Sequence, residues 1–384
     1  MLPSRNLFIT GATGFVGGAL ALDLLRSQAR DRAFCLVRAS SDEEAASRLH
    51  NALAAAADAY GASSLELHSV LDRAVAVRGD LMTPLLGLSS ASVDALAAAA
   101  PLHVWHCAAS LVDSERRLRE IVAHNVAGTE RVLETTLDVG TAVFNHMSTA
   151  YVAGRTIGEA REELRRPRGF SNRYEQSKHY GEALVRDNCE FAGVPYRILR
   201  PGIVIGHSAT GRSTGYTGVL GWVLKIAALD EQTGGALHKR PLRYVARADA
   251  EINIIPVNSV VEDCIGIDAA GDETLGRVFH LTNTVAPTVG WLCDATSEAL
   301  GIRPIEIVDS EADLDPLSLK FHQWTRFERP YAQGRKRFDR SDSNGLYPSS
   351  RHGYCPISRD TFGRMVRLAV ADYRRAPRQQ EGVA

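Results

Sequence analysis

Leu7-Phe8-Ile9-Thr10-Gly11-Ala12-Thr13-Gly14-Phe15-Val16-Gly17 is the stretch that decides the fold of this chain. Three apolar residues that predict a strand run into a glycine-punctuated turn. Val16, Leu20 and Leu24 then recur on one face of a predicted helix. Strand, glycine turn and helix in that order can seat a dinucleotide pyrophosphate. Gly11 permits the tight turn, Gly14 lets the backbone approach the phosphates, and Gly17 lets the helix close on the strand. The first-turn N–H groups and the positive end of the helix dipole then meet the anion. A glycine triplet alone could be a structural turn; the strand before it and the helix after it give it a ligand.

Outward from this turn, strands and helices alternate through the first two-thirds of the chain. Strands are predicted at 6–10, 33–37, 74–77, 102–106, 142–147, 195–199 and 278–282. Such alternation implies a parallel sheet with right-handed crossovers, an α/β doubly wound sheet of Rossmann type. An alanine-rich helix opening at Ser41-Asp42-Glu43-Glu44 and running over 42–60 is inserted between the second and third strands. Another long helix spans about 172–191, with Gly193 to end it and Pro195 just beyond. After Pro201 the pattern loosens: 207–218 is rich in Gly, Ser and Thr, and from 304 onward aromatics and arginines mix without a clear helical period. These features predict a nucleotide-binding domain at 1–206 to which 251–285 returns. A smaller, mostly C-terminal substrate-binding lobe is predicted from 207–250 and 286–384, with a frayed end from about Pro377.

Bulk composition narrows the function. The 384 residues are 45% hydrophobic and 23% charged, with a formal net charge of −1. That balance argues against nucleic acid or a membrane surface as a global partner. The apolar run from Val219 to Leu229 is too short for a membrane span and is interrupted by Lys225. With no leader ahead of the first strand and six scattered cysteines, the expectation is a cytoplasmic protein with reduced thiols. No metal site is expected: His103 and His106 flank Val104-Trp105 in a strand-like segment and read as structural. The sequence leaves oligomeric state open.

Chemistry concentrates in two places. Tyr174-Glu175-Gln176-Ser177-Lys178 puts a phenol and an ammonium on one helix face. A cation there would lower the tyrosine pKa and suit it to donate a proton near neutral pH. Upstream, Phe144-Asn145-His146-Met147-Ser148-Thr149 is a strand ending in hydroxyl residues, at the edge where open α/β sheets bind ligands. Thr149 can join Tyr174 in holding a carbonyl oxygen that gains charge during hydride transfer. Ser148 is the rival hydroxyl, alternating to the opposite face.

With these residues quoted, the chain resembles the extended short-chain dehydrogenases/reductases over roughly residues 5–285. Gly79-Asp80-Leu81, Cys107-Ala108-Ala109, Asn125-Val126-Ala127-Gly128-Thr129 and Arg200-Pro201-Gly202 fit that family's pattern as well. The resemblance implies Thr149, Tyr174 and Lys178 as catalytic residues. It implies a cofactor held along Thr10, Gly11, Thr13, Gly14, Phe15, Val16 and Gly17. Asp80 and Leu81 would border the adenine, and Ala108, Ala109, Ser110 and Asn125 would lie near the ribose. Lys178 would hold the nicotinamide ribose, and Pro201, Gly202 and Ile203 would back the nicotinamide. At the end of the second strand stands Arg38, with no carboxylate until Asp42. A guanidinium there suits a 2′-phosphate, so NADPH is the expected cofactor.

Within that superfamily the chain resembles thioester reductase domains and fatty acyl-CoA reductases. The resemblance rests on Leu36-Val37-Arg38-Ala39, the inserted helix, and the segment from Arg78-Gly79-Asp80-Leu81 through Pro84-Leu85-Leu86-Gly87-Leu88. His146 to Val152, the Tyr174 cluster and Ile254-Ile255-Pro256-Val257 extend it. It implies NADPH-dependent reduction of an acyl thioester, carried by coenzyme A or an acyl carrier protein, to aldehyde and in some members onward to alcohol. No adenylation or carrier domain precedes the turn in this sequence, so the thioester is expected in trans. Two other readings compete. One is a reductase or epimerase of a free carbonyl, sugar nucleotide or sterol; the other is a non-catalytic NADP-binding regulator. Three minor features complete the reading. Basic clusters at 161–168 and 326–340 could steer an acidic carrier. Phe321, Trp324, Phe327 and Tyr331 could wall an acyl chain. Cys107, beside the expected ribose, reads as a small buried apolar residue.

Overall fold

A computed structural model describes residues 6–27, 30–111, 118–156, 158–346 and 357–376. Seven strands form the central sheet: β1 (Leu7–Thr10), β2 (Ala33–Val37), β3 (Ala74–Arg78), β4 (Leu102–His106), β5 (Thr141–Met147), β6 (Tyr196–Pro201) and β7 (Arg277–Leu281). Their order is β3-β2-β1-β4-β5-β6-β7, and every neighbouring pair is parallel. This is the doubly wound α/β sheet expected from sequence, with each anticipated strand in it. The strand order reverses between β1 and β4, where such sheets open a ligand crevice.

Side chains alternate across the sheet. Leu7 and Ile9 pack with Leu20, Leu24 and Val260 on one face, while Phe8, Val104 and Phe144 pack with Leu133 and Val185 on the other. Both long helices start and stop where their end residues dictate. Ser41 accepts a hydrogen bond from the Glu44 N–H to open helix Asp42–Tyr60, which Gly61 ends at φ 75°. Asn172 accepts from the Glu175 N–H to open helix Arg173–Ala192, which Gly193 ends at φ 65°.

A separate hydrophobic core gathers Val219, Trp222, Leu292, Phe321, Phe362 and Val366. It joins helices Gly218–Gln232, Val289–Leu300 and Pro316–Trp324 to helix Arg359–Arg375. This last helix corrects the irregular sequence reading of the C-terminal part. Phe362, Met365, Val366, Ala369 and Val370 form a buried stripe at helical spacing, and the intermixed arginines lie on its outer side. The segment expected to fray from Pro377 lies outside the described residues. Ile203–Ile205 leaves the end of β6 and pairs with Ile254–Pro256, tying sheet to second core. The 207–212 loop clasps the inserted helix: the His207 and Tyr60 rings stack at 5.5 Å, Thr210 Oγ1 donates to the Ala59 carbonyl at 2.7 Å, and Arg212 meets Asp58 at 2.8 Å. Among the described residues no helix is long and apolar enough to cross a membrane.

Candidate active site

The glycine turn forms as its sequence requires. Gly11 takes φ 77°, and a Cβ there would lie 2.7 Å from the Ala108 nitrogen. A Cβ on Gly17 would lie 2.2 Å from the Gly11 carbonyl oxygen, so only glycine lets the helix close on the turn. No side chain caps helix Phe15–Arg26, whose N-cap is Gly14. Its first-turn N–H groups are therefore left for an anion. A dinucleotide pyrophosphate fits this cradle.

Gly11, Thr13, Gly14, Phe15, Val16 and Gly17 line a cavity of about 740 Å³ together with Thr149, Tyr174, Lys178, Pro201, Gly202 and Ile203. A smaller neighbouring cavity of about 300 Å³ is lined by Arg38, Asp80, Leu81 and Ser110, with Thr13 and Ala109 shared between the two. Thr10, Ala108 and Asn125 line neither. Thr10 is fully buried, with Oγ1 2.7 Å from His106 Nδ1 and accepting from the Ala108 N–H at 3.2 Å. Asn125 pins the Ser110 backbone through both of its amide atoms and donates to Ser177 Oγ at 3.0 Å. These three shape the cavities from behind.

Arg48 is a cavity residue that the sequence reading missed. It lines the smaller cavity beside Arg38, and its Nη1 donates to the Arg38 carbonyl at 2.5 Å. Its position in the inserted helix was visible; which face of that helix turns toward β2 was not. Asp80 is held by a tight turn, its N–H donating to the Leu86 carbonyl at 2.7 Å. Leu85 and Leu86 both take left-handed conformations there, at φ 51° and 57°, a strained arrangement for non-glycine residues.

The two hydroxyls at the end of β5 differ in their partners. Ser148 Oγ donates to Glu182 Oε1 at 2.6 Å, and Glu182 also takes two hydrogen bonds from Arg200, at 2.8 and 2.7 Å. Glu182 was not anticipated, though Tyr174, Lys178 and Glu182 recur every fourth residue on one helix. This buried group joins the residue before Thr149, the helix of Lys178 and the residue before Pro201. Thr149 Oγ1 is left at the cavity with only a 3.5 Å contact to the Pro201 carbonyl and a 3.3 Å bond from the Tyr151 N–H.

Electrostatics correct one expectation. Burial, and after it the Glu175 carboxylate, push the Tyr174 hydroxyl up, where a cation was expected to pull it down. Burial also pushes Lys178 down to about 8, against an opposing pull from Glu182. Desolvation is the largest cause of both shifts. Below Lys178, burial pushes His106 down to about 3 and His146 well below its ordinary range, so both imidazoles are neutral. Cys107 is pushed up to about 12 by burial and stays a thiol.

The remaining wall of the large cavity comes from the second core, through Val219, Trp222, Tyr244 and Leu292, and from Phe327 and Tyr331 beyond it. Of the four aromatics expected to wall an acyl chain, Phe327 and Tyr331 reach the cavity. Phe321 packs in the second core against Trp222 and Tyr244, and Trp324 borders that core. The 326–340 basic cluster is largely paired: Arg329 with Glu311, Arg335 with Asp249, Arg337 with Glu251 and buried Arg340 with Asp263.

Residues 9–264 match the family described as male sterility protein. The chain is 30% identical over 321 residues to isonitrile lipopeptide synthase of Mycobacterium tuberculosis, covering 76% of this chain and 12% of that protein. It is 31% identical over 236 residues to carboxylic acid reductase of the same organism, covering 56% of this chain and 19% of the other. It therefore spans only a small part of these relatives. The terminal R domain of the myxalamid PKS-NRPS pathway superposes with a TM-score of 0.74 at 24% identity, covering 98% of this chain and 93% of that one.

Proposed function

The chain belongs to the male sterility protein family, a thioester-reductase-like subgroup of the NAD(P)-dependent extended short-chain dehydrogenases/reductases, and from that premise we propose that it reduces an acyl thioester to an aldehyde with NADPH. The observation that carries the reading is one cavity shared by the glycine turn, by Thr149, Tyr174 and Lys178, and by an apolar wall suited to an acyl group. Residues 1–206 and 251–285 form the cofactor unit, and 207–250 with 286–384 form the lobe that covers the substrate.

Gly11 to Gly17 hold the pyrophosphate at the helix N-terminus. Arg38 and Arg48 pair with the 2′-phosphate, since two guanidiniums and no carboxylate at the end of β2 favour NADPH over NADH. Asp80, Leu81, Ala109 and Ser110 border the adenosine, Lys178 holds the nicotinamide ribose, and Pro201, Gly202 and Ile203 back the nicotinamide. When bound, the cofactor supplies the hydride that reduces the thioester carbonyl carbon. Thr149 and Tyr174 hold the oxygen as it gains charge, and Tyr174, kept protonated by burial, gives it a proton. The resulting hemithioacetal collapses: the C–S bond breaks, the C=O bond re-forms, and the thiol leaves with one proton. Coenzyme A or an acyl carrier protein presents the acyl group.

The test follows NADPH oxidation on acyl-CoA and acyl-carrier-protein panels, with thiol and trapped aldehyde measured together. Equal amounts of all three are expected. Tyr174→Phe is expected to lower kcat by about 10²- to 10⁴-fold while still binding NADPH. Turnover of free ketones or aldehydes alone would reject the thioester reading.

A further inference from the structure

Tyr331 comes from the lobe, yet it meets the catalytic helix at its first turn. Asn172 caps that helix with its Oδ1, which accepts from the Glu175 N–H at 2.9 Å. Its Nδ2 donates to the Tyr331 hydroxyl at 2.8 Å. Because Asn172 occupies a lone pair of the phenol oxygen, the phenol proton points elsewhere. Tyr331 lines the cavity of Thr149 and Tyr174, and its ring stands edge-on to Tyr151 at 4.8 Å.

Three other hydroxyls of that cavity have hydrogen-bond partners. Ser148 Oγ donates to Glu182, Tyr216 donates to Asp372 at 2.6 Å, and the Tyr151 oxygen accepts from the Asn253 N–H. Behind Tyr331 lies Glu175, fully buried. Its Oε2 accepts from the Ser171 N–H at 2.7 Å, while Oε1 has no hydrogen-bond partner among the described residues. Burial pushes this carboxyl up, against weaker opposing pulls from Lys336 and from the Tyr331 hydroxyl beside it.

We propose that Tyr331 is a second catalytic acid, which protonates the departing sulfur while Tyr174 serves the carbonyl oxygen. This rests on the thioester-reductase reading, because a leaving thiol exists only in that reaction. As the hemithioacetal C–S bond breaks, its electron pair goes to sulfur, which takes the Tyr331 proton, while the C=O bond re-forms and the hydroxyl proton returns to the Tyr174 oxygen. The Tyr331 oxygen is reprotonated from the Glu175 carboxyl, and solvent restores that proton after the thiol departs. Nothing is oxidised or reduced in this step. The relay through Glu175 matters because burial makes Tyr331 by itself a weak acid.

The experiment compares octanoyl-pantetheine with the octanoyl thioester of thiophenol, whose acidic thiol leaves as the thiolate without help. Tyr331→Phe, which keeps the ring in place, is expected to lower kcat/KM about 100-fold on the pantetheine thioester and less than about tenfold on the aryl thioester. Glu175→Gln is expected to split the two substrates in the same direction by a smaller factor. It decides the matter if Tyr331→Phe fails to bind NADPH and is misfolded. Equal falls on both thioesters, or no fall on either, would overturn the proposal while leaving the reductase reading intact. A wild-type enzyme that reduces neither thioester would remove both.

Discussion

The two walls of the large cavity are built from different materials. The cofactor-side wall rests on backbone, a glycine turn with no room for a Cβ at Gly11 or Gly17, and is braced from behind by Ser148, Glu182 and Arg200 joined out of solvent. The lobe-side wall is mostly apolar side chains such as Val219, Trp222 and Leu292, with the Lys225–Glu328 ion pair among them. A wall of backbone recognises a ligand that never changes. A wall of side chains can be recut for another ligand without moving its supports.

The largest expected effect sharpens that contrast. Glu182→Gln leaves Arg200 almost wholly buried with its charge uncompensated. It is expected to cost about 3–5 kcal/mol in urea unfolding. Glu306→Gln removes the partner of Arg243, a pair with each side chain nearly half exposed, and is expected to cost about 0–1 kcal/mol. Similar losses at the two positions would break the comparison. Next comes Gly17→Ala, whose new methyl meets the Gly11 carbonyl. NADPH affinity, read by cofactor fluorescence, is expected to fall by about ten- to hundredfold, in line with a 1–3 kcal/mol overpacking strain. Leu292→Ala on the lobe wall should leave cofactor affinity unchanged and alter only the preferred acyl length.

Arg48→Ala is expected to weaken NADPH about tenfold, as for the loss of one charge-assisted hydrogen bond, with NADH binding unmoved. A parallel loss for NADH would assign Arg48 a structural role instead. The smallest effect is one of pH. Lys178 titrates near 8, so its ammonium is intact below that pH and is lost as pH rises through it. With Tyr174 still protonated there, kcat/KM for reduction should be level from pH 6 to 7 and fall about tenfold by pH 9, with a slope of one proton. A profile flat to pH 10 would show that the Lys178 charge is not needed.

The same contrast explains what the sequence disclosed. Gly11 and Gly17 were legible because backbone geometry admits no other residue there, and the sheet because short runs rich in apolar residues alternate with helical stretches. Tyr174 and Lys178 were legible because helical spacing fixes their shared face. The sign of the Tyr174 shift was not, since desolvation depends on what the lobe places over it. Arg48 and Glu182 were hidden for a related reason: the partner that gives each its meaning lies on a different element, at β2 and at the end of β6. Phe321 and Phe327 differ by six residues in an aromatic-rich stretch, and only the packing of the second core sends one inward and the other to the cavity.

The position of helix Arg359–Arg375 sets an order in time. A chain emerging from the ribosome completes β1 to β7 by residue 281, so the cofactor cradle and the Tyr174 helix can form first. Phe362, Met365 and Val366, which close the second core behind Val289–Leu300 and Gly218–Gln232, arrive some eighty residues later. Until they do, the apolar side of the acyl cavity faces water. The apolar side of the large cavity is thus completed after its cofactor side, and the growing chain is most exposed to misassembly while that side is open.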